Sequence, residues 1–184
     1  MAMAAGQSIT LQRDCPGIQV PFGNPITIPS GMGIVVEQAL GDSVTVMTHH
    51  GVRVRIEAKD FDALGMEAEA STLAEKQESG PVNEEMIWSV LKTIYDPEIP
   101  VDIVELGLIY GVGLNPAGAQ KWVVDVKMTL TAPGCGMSQV LHDDVVRKIE
   151  KLTDVEEVKV ELVFDPPWDP SKMSDAARLK LDMF

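Results

Sequence analysis

The chain has 184 residues and a mass of 20.0 kDa, enough for one domain or for two small ones. Its formal net charge of -13 argues against nucleic acid or an anionic membrane as a partner. No apolar run approaches the ~20 residues that cross a bilayer, and the first residues lack the basic start and apolar core of a signal peptide. We therefore expect a cytoplasmic protein.

The N-terminal third of the chain is typical of a small β module. It is rich in Val, Ile, Thr, Gly and Pro, and its strand-like runs are separated by turn signals. These runs are Ile26–Ile28, Gly33–Glu37, Ser43–Met47 and Val52–Ile56. Because short strands at this spacing favour a barrel or sandwich, we predict a barrel-like all-β module over residues 1–66. The acidic, polar residues 67–81 are predicted to form a linker.

From Val82 onward the apolar pattern alternates between helix and strand. A helix capped by Asn83 is followed by a strand over 106–114, a turn at 115–118 and a clearly alternating return strand. A second amphipathic helix and a third strand complete the order α-β-β-α-β. The sequence therefore predicts an α+β fold, with a two-layer sandwich and a mixed sheet over residues 82–164. Residues 165–184, a Pro/Trp tail and a short helix, are predicted to pack on this domain.

One cysteine stands where the return strand meets the second helix. Cys135 follows Pro133 and lies between two glycines. A thiol at a helix N-terminus faces unpaired backbone N–H groups and the positive end of the helix dipole, which favour the thiolate. The glycines also let other backbone approach the sulfur. A reactive thiol is one interpretation, and a small buried cysteine in a tight turn is the other.

No second ligand accompanies this cysteine at a useful spacing. Cys15 is distant in sequence, and His142 lies about two helical turns, ~10 Å, further along. Zinc and iron–sulfur clusters usually take four protein ligands. We therefore expect no tightly bound cofactor within one chain, whereas a site completed by another molecule remains open.

Acidic residues form a second candidate cluster. Four carboxylates fall between Asp96 and Glu105, in a stretch without a basic residue. They either belong to a solvated loop or, as the alternative, line a pocket around the thiol. Trp168, held between prolines, covers either the edge of the core or that pocket.

Three segments in continuous order resemble the PaaD-like domain found in iron–sulfur assembly factors. They are Asp96–Pro100 with Val104–Tyr110, Met128–Cys135, and Val163–Trp168. With the β module in front, the whole chain resembles the SufT family of auxiliary iron–sulfur assembly proteins of the bacterial SUF system. The resemblance implies a role in maturing iron–sulfur proteins and no enzymatic turnover.

The resemblance also implies site residues and partners. Cys135 is the expected functional thiol, and its supporting residues are Asp96, Glu105, Thr131, Pro133 and Trp168. We expect Cys135 to be a transient ligand for iron or an iron–sulfur cluster, in a site that another chain completes. The expected partners are client apo-proteins and SUF assembly proteins, and a homo-oligomer is left open. Gly136 departs from the proline that many PaaD-like domains have directly after this cysteine.

Two alternatives to a carrier thiol are kept. The chain could be an adaptor without metal, in which the β module and the acidic surface recruit clients. It could also be a thiol enzyme with Cys135 as nucleophile, although His142 is poorly spaced to act as its base.

Overall fold

The computed structural model describes residues 4–66, 81–118, 120–132 and 136–183. The chain divides into two compact units, Met1–Lys76 and Gln77–Phe184, and each has its own hydrophobic core. Most of the predicted linker, and Pro133 and Cys135 of the predicted site, lie outside the described residues. Among the described residues, no helix is long and apolar enough to span a membrane.

The N-terminal unit is a six-stranded antiparallel sheet with the order β1-β4-β5-β6-β2-β3. Its strands are β1 (Ser8–Thr10), β2 (Cys15–Val20), β3 (Asn24–Ile28), β4 (Gly33–Leu40), β5 (Ser43–Thr48) and β6 (Arg53–Glu57). A 3₁₀ helix, Ala58–Leu64, follows β6. The predicted all-β character is confirmed, with two strands more than predicted. β2 escaped prediction because Pro16 and Gly17 are residues that usually mark turns.

The C-terminal unit has the predicted α-β-β-α-β order. Its elements are α1 (Glu84–Leu91), β7 (Ile109–Gly118), β8 (Lys121–Met128), α2 (Ser138–Ile149), β9 (Val155–Leu162) and a short α3 (Asp175–Lys180). The sheet has the order β7-β8-β9, with β7 antiparallel and β9 parallel to β8. The α+β fold with a mixed sheet is therefore confirmed. Asn83 caps α1 as predicted, since its Oδ1 accepts the N–H of Met86 at 2.9 Å.

The hairpin that joins β7 to β8 lies later than predicted. The residues predicted to turn belong to β7, where Asn115 pairs with Val123 and Pro116 pairs with Trp122. Gly118 and Gln120 have positive φ angles of 94° and 65°, and the chain reverses there. Pro116 is tolerated because β7 is an edge strand.

One face of the three-stranded sheet packs on the two long helices. Alternate residues of β8, namely Val124, Val126 and Met128, are fully buried. They share a core with buried residues of α1 and α2, which are Ile87, Leu91, Leu141, Val145 and Ile149. Met173 and Ala177 of the C-terminal tail join the same core. The tail is thus part of this unit.

Candidate functional site

The corner between β8 and α2 is anchored on both sides by buried residues. Before it, Thr129 is 1% exposed, and its backbone N–H donates to the carbonyl oxygen of Leu108 at 2.8 Å. After it, Met137 is 1% exposed and Gly136 is exposed. Thr131 is half-buried. The described ends of the corner are therefore held firmly against the core.

Helix α2 follows the corner, as the sequence predicts. The helix begins at Ser138 with Met137 as its N-cap, which makes no side-chain capping bond. Cys135 therefore precedes the helix by three residues and does not belong to its first turn. Gly136 favours a helix start after the cysteine, because glycine is among the least favourable residues in a helix. Cys135 itself lies outside the described residues, so the activation of its thiol stays a prediction.

Asp96 and Asp102 organise the acidic loop by bonding to its own backbone. Asp96 is 7% exposed, and its Oδ1 accepts the N–H groups of Glu98 at 2.8 Å and Ile99 at 2.9 Å. Asp102 Oδ1 accepts those of Val104 at 3.1 Å and Glu105 at 3.0 Å. Such bonds are typical of turns in which Asp replaces a backbone acceptor. Asp96 therefore stabilises the turn that it begins.

Glu105 connects this loop to the C-terminal tail. Its carboxylate accepts a hydrogen bond from the hydroxyl of Ser174, and its carbonyl oxygen accepts the N–H of Ser174 at 2.9 Å. Ser174 also caps α3, because its Oγ accepts the N–H of Ala177 at 3.0 Å. Sequence reasoning missed Ser174. The signal was present as a serine ahead of Asp-Ala-Ala-Arg, the composition of a helix start.

Gly107 lets the tail lie directly on the loop. Its φ is +71°, and an added Cβ would lie 2.2 Å from the carbonyl oxygen of Lys172. Only glycine tolerates both the backbone conformation and the close contact. This second residue of the site was also missed, although an isolated glycine inside the apolar run Leu106–Leu108 signals a close backbone approach.

Trp168 fastens the tail to the same loop. Its side chain is half-buried against the core, and its Nε1 donates to the carbonyl oxygen of Leu106 at 2.8 Å. Nearby, the hydroxyl of Tyr110 donates to the carbonyl oxygen of Pro166 at 2.9 Å, and the Lys172 ammonium lies 4.8 Å from the centre of the Tyr110 ring. Of the two interpretations of Trp168, these contacts support a cover over the edge of the core.

These contacts join into a continuous assembly, which we call the tail clasp: residues 104–110 together with residues 165–177. It reaches the corner through the bond between Leu108 and Thr129. Glu105, in the loop, and Trp168, in the tail, therefore both take part in the tail clasp. Asp96 shapes the turn at the start of the same loop region, ahead of the clasp.

The other cysteine is unsuited to binding iron. Cys15 lies in β2 and is 0% exposed, inside the core of the N-terminal unit. Burial, with a smaller contribution from the negative charge of Asp60, raises the pKa of its thiol to about 11. It therefore stays protonated at neutral pH, and a protonated thiol is a poor ligand.

Among the described residues, the histidines form no metal site with acidic side chains or with Cys15. His142 Nδ1 lies 3.1 Å from Asp143 Oδ1 on the surface of α2, and the rings of His49 and His50 lie next to each other in the N-terminal unit. Within the described ranges, no group of three or more His, Cys, Asp or Glu side chains is placed to hold a metal ion.

Comparison with known proteins identifies the class to which the C-terminal unit belongs. A family described as "Iron-sulfur cluster assembly protein" matches residues 84–162. A Porphyromonas gingivalis protein named Fe-S protein maturation auxiliary factor is 45% identical over 98 residues, which are 53% of this chain and 90% of the relative.

Two further relatives carry the same description. Fe-S protein maturation auxiliary factor YitW of Bacillus subtilis is 37% identical over 97 residues, 53% of this chain and 91% of the relative. Fe-S protein maturation auxiliary factor SufT of Staphylococcus aureus is 36% identical over 88 residues, 48% of this chain and 96% of the relative. The resemblance inferred from the three sequence motifs is confirmed, and the chain belongs to the iron–sulfur cluster assembly protein family.

Proposed function

We propose that this chain is an auxiliary factor in iron–sulfur cluster assembly or delivery, and that Cys135 is the thiol that transiently binds its cargo. One observation carries the proposal. Cys135 is the only cysteine in the matched segment 84–162, and the other cysteine of the chain, Cys15, is buried and protonated. Since the thiolate is the form that binds metal, the functional thiol is assigned to Cys135.

The cargo is an iron ion or a small cluster, held in a site that another molecule completes. Iron–sulfur clusters usually take four protein ligands, and the described residues supply no cluster of metal-ligating side chains. A single thiol of this kind holds its cargo weakly and can release it. We propose client apo-proteins and SUF assembly proteins, in the cytoplasm, as the partners, since the relatives are named Fe-S protein maturation auxiliary factors.

The remaining predicted residues support the corner. In this proposal Thr131 and Pro133 shape the chain around Cys135, while Asp96, Glu105 and Trp168 hold the loop against which the corner packs. Their contacts to backbone groups and to Ser174 favour a positioning role. Substituting them is expected to alter stability and cargo transfer together, whereas substituting Cys135 alters transfer alone.

The activity of client iron–sulfur enzymes in cells tests this function. Cys135→Ser should leave the fold intact and lower client activity, because a hydroxyl replaces the metal-binding sulfur. Cys15→Ala is the matched control: it removes the other thiol and should retain client activity at equal protein level. Full client activity with Cys135→Ser would contradict the role of the thiol.

A second candidate function is that of an adaptor without cargo. It is favoured by the N-terminal β unit, which lies outside the matched segment and has no reactive thiol exposed among its described residues. The two functions separate when the protein is reconstituted with iron and sulfide without air. Visible absorption that depends on Cys135 supports the carrier, and its absence supports the adaptor.

A further inference from the structure

Strand β9 forms an edge of the mixed sheet, and no other strand pairs with its outer side within the part of the chain that the structure describes. The N–H of Val163 donates to the carbonyl oxygen of Met128 at 2.8 Å, toward β8. Because backbone groups alternate along a strand, those of Val158, Val160 and Leu162 point away from β8. The edge therefore offers a row of backbone donors and acceptors to another strand.

The side chains of β9 are charged on one face and apolar on the other. Glu157, Lys159 and Glu161 form the charged face, with side chains 56%, 60% and 65% exposed. Along the apolar face burial fades toward the strand end, where Leu162 is 36% and Phe164 is 47% exposed. The end of the strand thus presents apolar surface next to an open backbone edge.

We propose that β9 pairs antiparallel with β9 of a second copy of this chain, about a twofold axis at Val160. In this register Lys159 of each copy lies opposite Glu161 of the other, and Leu162 lies opposite Val158. The outward backbone groups of Val158, Val160 and Leu162 then meet those of the other copy in hydrogen-bonded pairs. A twofold contact of this kind closes on itself and gives a dimer.

The charge pattern selects this register over its neighbours. A slide in one direction places Lys159 opposite Lys159, and a slide in the other places Glu161 opposite Glu161. Like charges directly opposite each other destabilise a strand pair. Another charge-matched register pairs Lys159 with Glu157 but leaves Leu162 and Phe164 uncovered.

Ion pairs within one chain do not compete strongly with this arrangement. Lys159 lies 3.5 Å from Glu157, and Glu161 lies 3.6 Å from Lys127. All four side chains are exposed by more than half, and exposed pairs contribute little to stability. Each charged group can therefore turn toward the second copy at low cost.

The oligomeric state of the full chain tests the proposal. Sedimentation velocity from about 1 µM to about 1 mM should show a reversible monomer–dimer equilibrium. Lys159→Glu should raise the dimer dissociation constant about tenfold or more, because it replaces two attractive cross-strand pairs by repulsive ones. Its circular dichroism and unfolding midpoint show whether the monomer stays folded.

A charge swap supplies the matched control. Lys159→Glu combined with Glu161→Lys restores both opposite-charge pairs and should recover the dimer, whereas this swap would not rescue a register that pairs Lys159 with Glu157. A wild-type chain that stays monomeric at every protein concentration would overturn the proposal. The edge of β9 would then be free to pair with an extended segment of another protein. Dimers that resist Lys159→Glu, or that the charge swap fails to recover, would also overturn it.

Discussion

At the scale of single residues, Thr129 carries a buried hydroxyl at the start of the corner. Thr129 Oγ1 has no hydrogen-bond partner in the described structure. An unsatisfied buried polar group costs about 1–3 kcal/mol, whereas an apolar group of the same shape does not. We expect Thr129→Val to leave the free energy of unfolding unchanged or to raise it by up to about 1 kcal/mol.

Urea denaturation measures this change, and Thr129→Ser is the control. Serine keeps the unpaired hydroxyl but removes a buried methyl group, so it should destabilise the protein by about 1 kcal/mol. If Thr129→Val lowers the free energy of unfolding by more than about 1 kcal/mol, the hydroxyl has a hydrogen-bond partner.

Gly107 is the residue on which the close contact between loop and tail depends. Gly107→Ala should lower the free energy of unfolding by about 2–4 kcal/mol, since it adds a left-handed alanine and a backbone clash with Lys172. Gly111→Ala is the matched control, because a Cβ there meets open space. Thermal unfolding of the two variants compares them, and equal midpoints would count against the tail clasp.

Cys15 makes stability depend on alkaline pH. Its pKa is raised by burial from an ordinary 9.0 to about 11, so the unfolded chain loses the thiol proton before the folded chain does. The protonated thiol therefore contributes to the free energy of unfolding. This contribution is complete below pH 9.0 and is lost as the pH rises toward about 11. The loss amounts to about 2–3 kcal/mol.

Denaturation at both ends of this pH range measures the effect. Tyr and Lys residues titrate in the same range, so Cys15→Ala is the reference that isolates the thiol. We expect the alkaline decline to be shallower in this variant than in the wild type. Equal slopes would show that Cys15 is accessible to water.

How far the site was predictable differs from residue to residue. Cys135, Asp96, Glu105 and Trp168 were proposed because motifs and spacing are visible along the chain, and their roles stay predictions. Ser174 was not, because its bond to Glu105 joins positions 69 residues apart. A long-range pairing of this kind depends on the fold and leaves no local periodicity.

At the scale of elements, β8, α1 and α2 were predictable because each has one clearly apolar face. The end of β7 was not, since Asn115 and Pro116 are residues typical of turns and remain in the strand only because β7 is an edge. β1 was too short to show an alternation. Where tertiary pairing overrides local preference, the sequence pattern alone misplaces the boundary.

Trp168 is expected to stabilise the tail clasp. Trp168→Phe keeps most of the apolar contact but removes the bond to Leu106, so it should cost about 1–2 kcal/mol. Hydrogen exchange should quicken in residues 104–110 and at Thr129, whose N–H bonds to Leu108. Unchanged exchange at Thr129 would separate the clasp from the corner.

At the scale of the whole molecule, two units with separate cores share one acidic chain. The relatives match about half of this chain while covering most of their own length. Family membership therefore rests on the C-terminal unit alone. The N-terminal antiparallel sheet lies outside the segment that the family matches. Its fold was predictable from turn signals, whereas its function was not.

The central claim is that Cys135 is the thiol that holds the cargo. Titration of the protein with iron and sulfide without air tests it most directly, because it measures weak binding at equilibrium, on the wild type, Cys135→Ser and the control Cys15→Ala. We predict iron binding by the wild type and by Cys15→Ala, and its loss in Cys135→Ser. Equal iron binding by the wild type and Cys135→Ser would contradict the claim.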